Sequence, residues 1–387
     1  MQRTTCGAYG GTVPIALVAL AMVGLFAGLW LVRSKRPVPP VVAELPALPQ
    51  RLTQPVSNSN LPVVDPVVVP VKAVPSAADA ANGTAAVTGV WVARGDIGHW
   101  NPAASSADGT KLVAAAWLGQ IYTSADSGVT WVARDFNRRW WGIASSADGT
   151  KLVACVQGGQ IYTSTDSGET WTPRAVDFQW NTVASSADGT KLVAGAVGEK
   201  LYTSSDSGAT WLTRESSRKW NKIASSADGT KLVAGVLGGH VYTSSDSGVS
   251  WTERQPASDA PLDWTGLASS ADGSKLAAAA WPSQIYTSTD SGVTWTARES
   301  SRNWNTITCS ADGTKLAATV YGGQIYLSTD SGESWTASES VRNWGSVTSS
   351  ADGMKLMAVV PGGQIYTYTA ASAASSTAAA VKQLNDK

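Results

Sequence analysis

The sequence predicts an all-β protein, a seven-bladed β-propeller of four-stranded blades, and three observations carry that prediction. The phrase Ser-Ala-Asp-Gly-Thr-Lys-Leu, or a near copy, recurs with its Asp at 108, 148, 188, 228, 272, 312 and 352. A Trp opens each unit, at Trp100, Trp140, Trp180, Trp220, Trp264, Trp304 and Trp344, with spacings of 40, 40, 40, 44, 40 and 40 residues. That period is the length of a propeller blade. Finally, the repeat region is split at its ends: the last unit stops after a third strand, Gln364 to Tyr368, and a lone strand, Val90 to Arg94, precedes the first. Trp91 lies nine residues before Trp100, as Trp131 lies nine before Trp140, so the lone strand matches a fourth strand. Joined to the last unit, it would close the ring and leave no open edge.

The elements follow in chain order. Residues 1–11 are a short tail. Residues 12–32 form a run of 21 residues without a charge, TVPIALVALAMVGLFAGLWLV. A helix of ~20 residues at ~1.5 Å each crosses a bilayer core. Arg33, Lys35 and Arg36 follow with no small-residue cleavage site before them, which predicts an uncleaved signal anchor. The flanking cations lean towards a cytoplasmic C-terminal side. The character of the repeats leans the other way, and an extracytoplasmic propeller on a single-pass anchor is the expectation. Residues 33–88 are rich in Pro, Val and Ala and read as a semi-rigid linker, because Pro fixes φ and lacks an N–H. The propeller spans 89–369, and 370–387 is an Ala/Ser-rich tail.

One unit shows the strands. Trp141 to Ser145 reads as the first, Lys151 to Val156 as the second, Gln160 to Ser164 as the third and Thr170 to Arg174 as the fourth. Asp148-Gly149, Gly158-Gly159 and Asp166 to Gly168 supply the turns, since Gly and Asp accept left-handed corners. Pro173 fits only an outer edge strand.

Composition narrows the function classes. The formal net charge is zero and no basic tract runs along the repeats, so no nucleic-acid partner is expected. The three Cys (Cys6, Cys155, Cys309) are isolated and give neither a zinc spacing nor a disulfide framework.

Six hairpins carry Ser-x-Asp-x-Gly-x-Thr/Ser-Trp, with their acids at Asp126, Asp166, Asp206, Asp246, Asp290 and Asp330. This resembles the Asp-box, or bacterial neuraminidase repeat, of sialidases, related glycosidases and the photosystem II assembly-factor type of propeller. The resemblance covers Val90 to Tyr368. It implies a β-propeller, commonly outside the cytosol, and does not imply one activity. The Asp residues are expected to satisfy their own turns, because the alternating oxygen ligands and distant Glu of a calcium loop are missing. No metal and no cofactor are expected.

Sialidases bind a substrate carboxylate with three Arg and use a Tyr–Glu pair and an Asp in the chemistry. Here Arg134, Arg174, Arg214, Arg254 and Arg298 are one repeat position, the third-strand Tyr residues are another, and the Arg-Ile-Pro motif is absent. A non-enzyme is therefore expected, with a sialidase-like hydrolase the remote alternative.

The candidate binding residues lie in the variable connections. Arg138, Arg218, Arg302 and Arg342 recur two residues before the opening Trp, where each can contact an acid or stack on an aromatic ring. Trp117, Trp281 and Tyr321 replace smaller residues near the second turn. The longer connection Gln255 to Asp263, with Asp259 and Asp263, breaks the symmetry. The expected function is a membrane-tethered binding scaffold with a protein partner, in the assembly of a membrane complex. A cell-surface carbohydrate-binding module, with a glycan partner, is the alternative.

Overall fold

The structure is a computed structural model that describes residues 89–371, Asp259 excepted. The tail 1–11, the apolar run 12–32, the linker 33–88 and residues 372–387 lie outside the described residues. Among the described residues every regular element is a β-strand, and no helix is long and apolar enough to cross a membrane.

The repeat beginning at Asp263 shows the unit most simply. Asp263–Ser269, Leu276–Trp281, Ser283–Ser288 and Thr296–Arg302 form one antiparallel sheet in that order. The second strand reads Leu-Ala-Ala-Ala-Ala-Trp and is buried up to its final Trp. Small apolar side chains let neighbouring repeats approach it on both faces. The fourth strand is largely exposed, as an outer edge requires. Asp272-Gly273 closes the first hairpin, with Gly273 at φ 66°.

Neighbouring repeats are continuous rather than merely stacked. Val132–Ser145 runs from a fourth strand into the next first strand without a break. Its middle pairs with the preceding repeat's second turn, Trp117 with Arg139 and Gly119 with Arg138. The same continuity joins several repeats into one 15-stranded sheet.

Six of the seven first strands carry a register shift just after the opening Trp, for example between Trp180 and Thr182. The extra residue turns towards the next repeat. Asn181 Nδ2 donates to Asn221 Oδ1 at 2.6 Å, Asn221 Nδ2 to the Trp264 carbonyl at 2.6 Å, and Thr265 Oγ1 to the Trp304 carbonyl at 2.8 Å.

A second set of bonds closes on itself. The N–H of Ala107 donates to the carbonyl of Ala147, and the step repeats through Ala187, Ala227, Ala271, Ala311 and Ala351. Ala351 then donates to Ala107 at 2.6 Å. The lone strand completes the circuit: Val90 to Arg94 pair antiparallel with Thr369 to Ile365.

The core lies between repeats. Trp140, Trp180, Trp220, Trp264, Trp304 and Trp344 are wholly buried. Each meets the third-strand Tyr of its own repeat edge-on, as Trp140 meets Tyr162 at 5.5 Å and Trp180 meets Tyr202 at 5.2 Å. Trp140 also packs in one cluster with Val113, Ala115 and Ile121 of the preceding repeat. Each such Trp is thus a wedge shared by two units.

Candidate functional site

Alternating strands divide the turns between two faces. The first and third turns of every repeat lie together, tied by bonds such as Ser127 N–H to the Thr110 carbonyl at 2.8 Å. This is the turn face. The second turn and the connection to the next repeat lie at the other end of the strands, joined by pairs such as Gly119 with Arg138. This is the loop face.

The turn face is built to satisfy itself. Asp126 accepts the Thr130 N–H at 2.8 Å and the Thr130 hydroxyl at 2.6 Å. Ser124 Oγ donates to Asp126 and accepts the Gly128 N–H. The Trp131 indole donates to the Gly128 carbonyl at 3.0 Å. Asp166, Asp206, Asp246, Asp290 and Asp330 each accept the equivalent N–H of their own hairpin. The hydroxyl and N–H of Thr130 hold the Asp126 carboxyl down at about 2. Ser106 and Thr110 hold Asp108 at about 2 in the same way. Among the described residues no group of three or more His, Cys, Asp or Glu could hold a metal. Clefts of up to about 330 Å³ between successive repeats have recurring linings, such as Lys111, Thr123 and Arg134, or Lys231, Thr243 and Arg254, so none stands apart.

The loop face holds the residues singled out by sequence. The Arg138 guanidinium lies 4.4 Å from the Tyr162 ring and 3.3 Å from Asp135. Arg218 sits 4.5 Å over Tyr242 with Glu215 at 3.6 Å. Arg302 sits 4.6 Å over Tyr326 with Glu299 at 3.0 Å, and Arg342 sits 4.7 Å over Tyr366 with Glu339 at 3.9 Å. Each Arg therefore has an acid of its own connection beside it and the third-strand Tyr of its own repeat beneath it, and the four occupy four separate repeats. Trp281 and Tyr321 are brought together, with ring centroids 5.7 Å apart. Asp263 pairs across from Trp281 and accepts the Gly238 N–H at 2.7 Å. Trp117 is half-exposed on another repeat, and Asp259 lies outside the described residues.

Sequence reasoning passed over a group beside Trp117. Phe136 and Val176 are exposed apolar residues at one position of two successive connections, Phe136 at 76%, and Ile97 is exposed one position further along the connection before them. The same position holds Ser216, Ser300 and Ser340 in other repeats, a column contrast that could have revealed them. Leu118 follows Trp117, is exposed, and has φ 59°. Gly158, Gly198, Gly238, Gly322 and Gly362 fill that left-handed corner elsewhere, so Leu118 is strained where glycine is free.

A second overlooked group is polar. Glu253 accepts the Tyr242 hydroxyl at 2.6 Å and lies 3.7 Å from His240. A Tyr–Glu pair invites a catalytic reading. Burial, then the bond to Glu253, push the Tyr242 hydroxyl up to about 12, the wrong direction for a nucleophile.

No protein-family model matches the chain, and no curated protein matches it. Solved structures do. YCF48 from Cyanidioschyzon merolae aligns with TM-score 0.58 at 14% identity, over 72% of this chain and 98% of its own. YCF48 bound to D1 peptide aligns with TM-score 0.59 at 13% identity, over 73% of this chain and 97% of its own. An ancestral GH74 enzyme aligns with TM-score 0.60 at 14% identity, over 73% of this chain and 46% of its own. The chain is a β-propeller. The propeller is similar in fold to YCF48, and it spans about half the length of the GH74 enzyme.

Proposed function

We propose that this propeller is a membrane-tethered, non-catalytic scaffold that binds a protein partner through its loop face and serves in assembling a membrane complex. The closed circuit from Ala107 to Ala351 and the pairing of Val90 to Arg94 with Ile365 to Thr369 support seven four-stranded blades over residues 89–369. The apolar run 12–32 supports a single-pass anchor, and the Pro-rich linker 33–88 would hold an extracytoplasmic propeller clear of the bilayer. The peptide bound by YCF48 supports a polypeptide ligand.

Leu118 carries the reading. A strained left-handed leucine that also exposes its side chain to water is doubly unfavourable, and glycine at the same corner would relieve both costs. Trp117 beside it and Phe136 on the paired connection are exposed apolar side chains of the same face, as are Ile97 and Val176 on the neighbouring connections. Apolar groups kept exposed at a cost in stability mark an interaction surface.

Affinity capture from solubilised native membranes tests this with wild type and Leu118→Gly as baits. The variant should be the more stable protein, by up to about 1 kcal/mol, and should retain the partner less well. A partner held equally by both baits contradicts the reading.

The Trp281–Tyr321 pair favours carbohydrate as the second reading, since paired aromatic rings with Asp263 nearby suit a sugar's apolar face and hydroxyls. Binding to a glycan array that is lost in Trp281→Ala would establish it.

A further inference from the structure

Two cations recur on the turn face. Lys111, Lys151, Lys191, Lys231, Lys275, Lys315 and Lys355 hold one position of the repeats. Arg94, Arg134, Arg174, Arg214, Arg254 and Arg298 hold another, and Ser338 fills its remaining place. One of each lines four clefts between successive repeats: Lys191 with Arg214, Lys231 with Arg254, Lys355 with Arg94, and Lys111 with Arg134. The first two clefts have volumes of about 160 and 260 Å³.

These cations have no acid of their own. Among the described residues every ion pair involves Arg138, Arg218, Arg302, Arg342 or His240, all on the loop face. Each Arg of the turn face is pinned by a neutral bond instead. Arg214 Nε donates to Thr203 Oγ1 at 2.7 Å and Arg254 Nε to Thr243 Oγ1 at 2.9 Å, and the other four make the same bond. Among the described residues it is the only hydrogen bond that each of these guanidiniums makes, so the terminal amines are uncommitted. Lys191 Nζ donates to Ser247 Oγ at 3.4 Å and Lys231 Nζ to Ser291 Oγ at 3.3 Å. The Lys stems pack over the next first turn, at Gly229 and Gly273, and that packing needs no charge. The acids of those turns, Asp228 and Asp272, are engaged by their own Ser, Thr and N–H groups.

No carboxylate lines the clefts of Lys191, Lys231 or Lys355. That of Lys111 includes Asp166, which is spent on its own hairpin, and Glu169. The hydroxyls of Ser204, Thr210 and Ser247 and the aliphatic Leu192, Leu212 and Leu232 complete the Lys191 cleft. A guanidinium fixed by one edge, with an ammonium and hydroxyls beside it, suits an oxyanion. The hydroxyl and aliphatic walls suit the sugar that carries it. No aromatic ring lines the clefts of Lys111, Lys191 or Lys231, so the bases of a single-stranded nucleic acid would find no stacking platform. We infer that the clefts are a row of equivalent anion sites for an acidic polysaccharide, each seating one sulfate or carboxylate group. Their recurrence along the closed Ala circuit lets one chain engage several at once. The row is independent of the loop-face reading, because it uses none of the same residues.

Biolayer interferometry of the full-length chain in detergent, at physiological ionic strength, tests it on immobilised dextran sulfate, neutral dextran and polyglutamate. Wild type should bind dextran sulfate and not dextran. Arg214→Gln combined with Arg254→Gln should weaken that binding about tenfold, and Lys191→Gln combined with Lys231→Gln should do the same. The two pairs are read separately, each after circular dichroism has shown the variant folded. Arg139→Gln combined with Lys219→Gln removes the same charge from exposed positions of the loop face and should leave binding unchanged. Failure of wild type to bind dextran sulfate, undiminished binding by a folded cleft variant, or an equal loss in the loop-face variant overturns the inference. Tighter binding to polyglutamate overturns it too, since the ligand would then be an acidic peptide.

Discussion

The acids of the turn face behave as parts of the backbone. Asp126 closes its hairpin through two bonds to Thr130, and Asp108 closes its turn through Ser106 and Thr110. Asp126→Ala should cost about 1–2 kcal/mol, read as a lower urea midpoint. The pH dependence follows from the same bonds. Folding lowers these carboxyls to about 2, from about 3.9 in the unfolded chain. A depressed folded pKa adds stability that is fully present above about pH 4 and disappears as pH falls towards about 2. Circular dichroism across pH 7 to 1.5 should show unfolding centred in that window, and a midpoint near pH 6 would contradict it. The wedge residues act on a larger scale of energy. Trp180 is wholly buried, and Trp180→Ala should cost about 3–5 kcal/mol by the same urea titration. The turn acids and the opening Trp residues were legible in the sequence because they repeat. Leu118 and Phe136 were not read from it, because each is a departure from its column. Their meaning depends on backbone angle, exposure and depth, and the linear pattern shows none of these.

At the level of the strand, the closing element does the most with the fewest residues. Val90 to Arg94 cover an edge that would otherwise present the ladder of Ile365 to Thr369 to other chains. Trp91 adds an indole bond to Ser338 and packs against Tyr368 and Trp344. Val92 pairs with Thr367, so Val92→Pro should weaken the closure, lower the melting temperature and raise aggregation measured by light scattering. Unchanged melting would show that closure adds little. The sequence foretold this strand from the nine-residue Trp spacing. What it did not foretell is how the connections behave. Segments that read as loops before the opening Trp pair with the preceding second turn, and in Val132–Ser145 and Thr172–Ser185 a single strand runs on through them. That pairing is set by contact between repeats, which no single repeat's sequence shows. It also explains why Arg138, Arg218, Arg302 and Arg342 stack inward on Tyr rings: the paired connection fixes each above its own repeat's third strand.

As a whole, the molecule is a nearly symmetric frame with a few unsymmetric residues set into it. The frame is over-determined by the Ala circuit, the shared Trp wedges and the Asp turns, so it tolerates a strained Leu118. Departures that cost stability are where function is sought, and the proposed protein-binding surface rests on one of them. The turn face supplies an internal control. Val249 is exposed there, singly, in a hairpin like its neighbours. The most direct measurement is photo-crosslinking in native membranes, with a benzophenone amino acid placed at Phe136 in one protein and at Val249 in another. The account predicts a discrete adduct with a protein partner from position 136 and none from 249. Adducts of equal yield from both positions, or from 249 alone, would contradict it.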